Sequence, residues 1–139
     1  MRRHVSETVV TTSPEKLFRA ISDISNWPQR GGDLESTEHD GSLSPGTRFS
    51  LKPRGGPRVA MSVEAAEAPH RFVDLAHFPL GKMRTTHEFL EEKAGTRVRI
   101  TIEVFGPLAF LWDHVVAKKQ ASSAAVETVA LARYADGLQ

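Results

Sequence analysis

His77 and His87 are the two side chains of this sequence best placed to exchange a proton near neutral pH. Each sits in a run that reads as a strand, Arg71 to Phe78 and Met83 to Glu91, and the turn between these runs contains Pro79, Leu80 and Gly81. On the alternation chosen here both imidazoles face the same side, with Thr85 adding a hydroxyl. Such a pair suits two tasks: hydrogen bonding to a ligand oxygen, or acting as acid and base. The plainer reading is two half-buried histidines, each hydrogen-bonded to a neighbour. No metal is expected, because two histidines lack an evident third ligand and no HExxH spacing occurs. Asp74 and Arg84 are expected to meet on the outer side of the same hairpin as a surface ion pair. Lys52, Arg54 and Arg58 form a basic cluster that either attracts an anionic headgroup or carboxylate, or is simply a solvated face.

Composition narrows the remaining chemistry. The chain has 139 residues, 18 Lys and Arg against 17 Asp and Glu, and a net charge of +1, so no electrostatic argument points to nucleic acid. It has no cysteine, which removes disulfides, thiolate zinc sites and thiol catalysis. The double glycines Gly31-Gly32 and Gly55-Gly56 lack the strand-to-helix setting of a phosphate loop, and no cofactor is expected. The N-terminus has no apolar h-region and no long apolar run occurs, so the expectation is a single cytoplasmic domain over residues 1–139, monomeric or homodimeric, with no integral membrane association.

Strands and one long helix must hold these groups in place. A first strand is expected over His4 to Thr12. Ser13-Pro14 then caps a short helix carrying Leu17, Phe18, Ile21 and Ile24, which ends at Asn26-Trp27-Pro28. A weak strand is expected at Leu34 to His39. Strands follow over 47–52, 58–67, 71–78, 83–91 and 96–105, with loops too short for parallel crossovers, so they form an antiparallel meander. In the last strand Val98, Ile100, Ile102 and Val104 alternate with Arg97, Arg99, Thr101 and Glu103, giving one dry face. From Gly106-Pro107 to Gly137 no further Gly or Pro occurs, and eight alanines favour one uninterrupted helix of roughly 45 Å. Its apolar stripe is read as Leu108, Leu111, Trp112, Val115, Ser122, Val126 and Val129. Only this helix is long enough to cover the dry face.

The segments SPEKLFRAISDISNWP, GSLSPGTRFSL, GTRVRITIEVFGPLAFLW and ALARYADGL, in this order, resemble the START-like (SRPBCC, helix-grip) superfamily, and within it the polyketide cyclase/dehydrase and lipid-transport group. The resemblance implies an α+β fold: a curved antiparallel sheet of six or seven strands wrapped around a long C-terminal helix, with two short helices after the first strand. It also implies a cavity between sheet and helix for a small hydrophobic molecule, polyketide- or lipid-like. The residues expected to line it are Phe49, Leu51, Met61, Val63, Leu75, His77, Thr85, His87, Phe89, Ile100 and Ile102 from the sheet, and Leu108, Trp112 and Val115 from the helix. Phe78, Pro79 and Leu80 would form its lip, at the same end as the loops at 53–57 and 106–107.

The resemblance leaves the chemistry open. Aromatic polyketide cyclases of the superfamily are thought to use an arginine inside the cavity, assisted by hydroxyls such as a tyrosine. Here the matching strand has arginine only at its outer end, Arg58, and the sole tyrosine, Tyr134, lies at the far end of the helix. A carrier is therefore the leading expectation. The alternatives are a cyclase or dehydratase using His77 and His87, or a protein-interaction module with a filled cavity.

Overall fold

The computed structural model describes residues 2–30 and 34–137; of Arg30 only the backbone is described, and the Gly31-Gly32 pair lies outside these residues. Seven strands make one sheet: β1 (Arg2–Val10), β2 (Leu34–Glu38), β3 (Arg48–Pro53), β4 (Val59–Glu67), β5 (Arg71–Phe78), β6 (Gly81–Glu92) and β7 (Gly95–Phe105). Every neighbouring pair is antiparallel, in the order β1-β7-β6-β5-β4-β3-β2. α1 (Pro14–Ser22) and a 3-10 helix (Ile24–Arg30) follow β1. After β7 come α2 (Ala109–Trp112), a π-helical turn (Asp113–Ala117) and α3 (Lys118–Asp136), which continue one another as a single C-terminal helix. This is the helix-grip α+β arrangement.

Local chemistry accounts for the start of the chain. The Ser13 hydroxyl accepts from the Lys16 amide, Pro14 occupies the first helical position, and Leu17, Phe18 and Ile21 turn inward. The Trp27 indole donates to the Ile21 carbonyl at 2.8 Å. Its ring meets Phe49 edge-on at 5.6 Å and Phe72 at 6.4 Å, so aromatic rings fill the space beneath the 3-10 helix. One continuous core joins these residues to the inner sheet face and to Ala117, Ala124, Leu131 and Ala135 of the C-terminal helix.

Two sequence expectations fail here. In β5, Val73, Leu75 and His77 face outward, and Phe72, Asp74 and Ala76 face inward. The register decides it: Phe78 pairs with Gly81, so His77 stands opposite Lys82, Leu75 opposite Arg84, and Asp74 opposite Thr85. Gly81, expected in the loop, belongs to β6, and moving one residue from loop to strand turns every side chain of β5 over. The hairpin keeps Gly81 because Trp112 occupies the space above it: a Cβ there would lie 2.5 Å from the indole Cδ1.

The helix is also rotated from its expected setting. Asp113, Ala117, Ala124, Thr128, Leu131 and Ala135 are buried, with Ala121 half-buried on the same stripe. Leu111, Val115, Val126 and Val129, expected to face inward, are exposed, Val126 at 72%. Ranking by bulk favours the larger apolar side chains, whereas the positions facing the sheet hold mostly small ones. The π-helical turn at Asp113–Ala117, in place of uninterrupted α-helix, also shifts the phase of α3. The helix is fastened to β1 at one end and to the segment just after β1 at the other. His4 Nε2 lies 2.6 Å from Asp113 Oδ1 at one end, and the Thr12 hydroxyl donates to Asp136 Oδ1 at 2.9 Å at the other.

Candidate functional site

The inner wall of the sheet carries a polar row inside an apolar field. Across β1, β7, β6 and β5 the register aligns His4, Ile102, Thr85 and Asp74. One step further along the strands it aligns Ser6, Ile100, His87 and Phe72. Because alternate residues share a face, Asp74 and His87 are diagonal neighbours on this wall, a separation of about 5–8 Å between their Cβ atoms. Asp74 and Thr85 are buried and His87 is half-buried, its ring 6.4 Å from that of Phe72. Asp113, 3% exposed, brings a second carboxylate from the helix, held by His4.

Of the residues expected to line the site, Phe49, Leu51, Met61, Val63, Thr85, His87, Phe89, Ile100 and Ile102 do share this inner face. Leu75 and His77 do not, so the two histidines stand on opposite faces of the sheet and cannot serve one ligand. His77 Nε2 instead meets the Ser62 hydroxyl at 3.0 Å on the outer face. Its partial burial, and then Arg48 and Lys82, hold its pKa below the ordinary histidine value, favouring the neutral ring. Val115 points to solvent at 52% exposure. Asp74, expected as an outward partner of Arg84, faces inward, and Arg84 pairs with Glu64 through two bonds of 2.7 and 3.0 Å on the outer face. Sequence reasoning also misses Asp113 and His4. The available signal for Asp113 is that it is the only acidic residue between Glu103 and Glu127.

Two members of the basic cluster, Lys52 and Arg58, are paired on the outer face. Lys52 bonds Glu35 at 2.5 Å, while Arg58 reaches Ser50, Ser36 and, at 3.5 Å, Glu38. No grouping of three metal-ligating side chains occurs among the described residues.

At one end of this wall the lip residues form a clasp. Trp112 stacks on Phe78 with centroids 4.6 Å apart and planes 17° from parallel, and its indole donates to the Pro79 carbonyl at 2.8 Å. The Leu108 amide donates to the Leu80 carbonyl at 2.9 Å. Beside the clasp is a surface cleft of about 320 Å³ lined by Phe78, Leu80, Gly81, Lys82, Phe105, Gly106 and Pro107. A second cleft, of about 360 Å³, lies at the opposite end between Thr11–Glu15 and Glu91–Thr96.

A sheet gripping a helix over such a wall is matched by a family model covering residues 2–138, described as polyketide cyclase / dehydrase and lipid transport. The chain belongs to that family. Among solved structures, MLL2253 from Mesorhizobium loti superposes on this family member with a TM-score of 0.75 at 20% identity over 99% of each chain. TTHA0849 from Thermus thermophilus gives 0.72 at 20% identity, covering 96% of this chain and 97% of its own. BexL, a di-domain ARO/CYC from the BE-7585A biosynthetic pathway, gives 0.70 at 15% identity, covering 96% of this chain and 48% of BexL. At these identities the likeness is one of fold. Among curated proteins none matches significantly by sequence.

Proposed function

We propose that this protein binds a small apolar molecule between the inner face of the sheet and the C-terminal helix, with Asp74, Thr85 and His87 contacting its polar end. The observation that carries the reading is an inversion on the helix. Ala117, Ala121 and Ala124 turn toward the wall, while Val115, Val126 and Val129 turn toward water. A helix serving only to fill a core would gain about 1 kcal/mol or more by burying these valines in place of these alanines. Small side chains opposite a wall that mixes Ile100 and Ile102 with a carboxylate, a hydroxyl and an imidazole suit an apolar guest with one polar group. Membership of a family described by polyketide cyclisation and lipid transport supports the same class of guest.

The test is native mass spectrometry of the protein from its own host, with release and identification of any bound compound, joined to uptake of an environment-sensitive apolar dye. A stoichiometric apolar compound, or dye uptake reduced about tenfold or more in Ala124→Phe and in Thr85→Val, supports the reading. An empty wild-type protein that takes up no dye overturns it. A cyclase or dehydratase reading, which needs a base and a donor on one wall, now rests on Asp74 and His87, since His77 faces away.

A further inference from the structure

The end of the molecule that carries the Trp112 clasp is also where large apolar side chains meet water. Leu80 is 65% exposed at the tip of the β5–β6 turn, and Phe110 is 59% exposed in the first turn of the C-terminal helix. The two segments are joined by the Leu108-to-Leu80 backbone bond, and Leu111 and Val115 continue the exposed surface along the helix. Leu80 is an anomaly twice over. Its φ is +54°, a left-handed conformation that Gly or Asn adopts at lower cost, and its side chain points into solvent. Neither backbone strain nor burial favours leucine here, so the folded monomer gains nothing from it.

The charge around this tip is one-sided. Arg2, Arg3 and Lys82 are exposed, and among the described residues they form no ion pair. The register sets all three at the Phe105 end of the sheet, because Arg2 stands opposite Val104 and Lys82 opposite Phe105. Of the nearby acids, Asp113 is buried against His4, and Glu103, 3.9 Å from Arg84, stands opposite Arg3 on the neighbouring strand, so the excess positive charge is carried by Arg2 and Lys82. An apolar tip rimmed by exposed cations complements a bilayer interface that carries anionic headgroups.

We propose that this end is a peripheral docking surface for an anionic lipid membrane, with Leu80 and Phe110 entering the headgroup layer and Arg2, Arg3 and Lys82 meeting lipid phosphates. No helix among the described residues is long and apolar enough to span a bilayer, so the contact is one of adsorption. The docking does not depend on what the interior of the protein holds.

The test is co-sedimentation of the full chain with vesicles of phosphatidylcholine alone or with about 30% phosphatidylserine, at low salt and at about 0.5 M salt. The wild type is expected to bind the anionic vesicles, and to lose binding in high salt or on pure phosphatidylcholine. Leu80→Asn relaxes the left-handed turn while removing the apolar side chain. It should therefore raise thermal stability and, combined with Phe110→Gln, weaken vesicle binding about tenfold or more. Lys82→Gln should weaken it about fivefold. Val126→Gln, which removes an equally exposed side chain far from the tip, should leave it unchanged. Failure of the wild type to bind anionic vesicles overturns the proposal. So does equal loss in Val126→Gln and the tip variants, or a tip variant that changes only the oligomeric state, which would make the surface a contact between copies of the chain.

Discussion

Removing the Trp112 ring should make Gly81 replaceable. The indole lies on the α-carbon of Gly81, stacks on Phe78 and donates to Pro79, so Trp112→Ala deletes an aromatic stack, a hydrogen bond and part of a half-buried ring. These are worth about 1 kcal/mol each, and the expected destabilisation is about 3 kcal/mol, or roughly 10 °C in melting temperature. Gly81→Ala in the otherwise unchanged protein puts a Cβ 2.5 Å from the indole Cδ1 and 3.1 Å from Nε1. The ring must leave its seat, so this substitution should cost about 2–3 kcal/mol by itself. With Trp112 already truncated, the same Ala meets no indole and should gain about 0.5 kcal/mol from its better strand propensity. The pair should thus couple by about 3 kcal/mol, far above the roughly 0.5 kcal/mol scatter of independent sites. Urea unfolding followed by far-ultraviolet circular dichroism measures all four proteins without relying on the tryptophan that is removed. Additive costs would refute the seat of Trp112 on Gly81, and with it the reason given for the β5–β6 register.

Three further outcomes rest on individual contacts. Asp113→Ala should lower stability by about 1–3 kcal/mol, and by less than half as much in a His4→Ala background, read from urea unfolding midpoints, because the 2.6 Å contact with His4 is its described partner. Leu131→Ala should cost about 2–4 kcal/mol while Val129→Ala, two residues away on the exposed side, stays within about 0.5 kcal/mol; equal costs would contradict the rotation of the helix described above. His77 is held below its ordinary pKa, so between the folded and unfolded values the unfolded chain binds more protons and stability falls as pH drops below about 6.5. His77→Gln should flatten that part of the stability profile measured by thermal unfolding, and an unchanged slope would assign the pH dependence elsewhere.

Much of the fold was legible in the residues because the signals are local. Ser13-Pro14 starts α1 as expected, and the alternation of Val98, Ile100, Ile102 and Val104 against charged neighbours gave β7 its correct face. Short turns dictated the antiparallel meander, and a run free of Gly and Pro gave the long helix. The inner positions of β3, β4, β6 and β7 followed from the same alternation. β5 did not, because its sequence FVDLAHF offers apolar residues on both faces and local pattern cannot rank them. Its facing depends on whether Gly81 belongs to the turn or the strand, and that is decided by Trp112, distant in sequence and seated above it.

The helix shows the same division between local and tertiary causes. Propensity and the absence of breakers determine that residues 109–136 are helical; they do not determine which side faces the sheet. Hydrophobicity ranked valine above alanine, whereas the folded helix buries Ala117, Ala124 and Ala135, and one of its fixed points is a contact between His4 and Asp113, 109 residues apart. Sequence therefore determined the elements, their order and most strand faces, since those depend on neighbours within a few residues. Tertiary structure alone decided that His77 and His87 are separated, that Asp74 and Thr85 share a wall, and that the helix turns its alanines inward. Each of these depends on packing between segments far apart in the chain, where a shift of one residue or one quarter turn reverses which side chains meet.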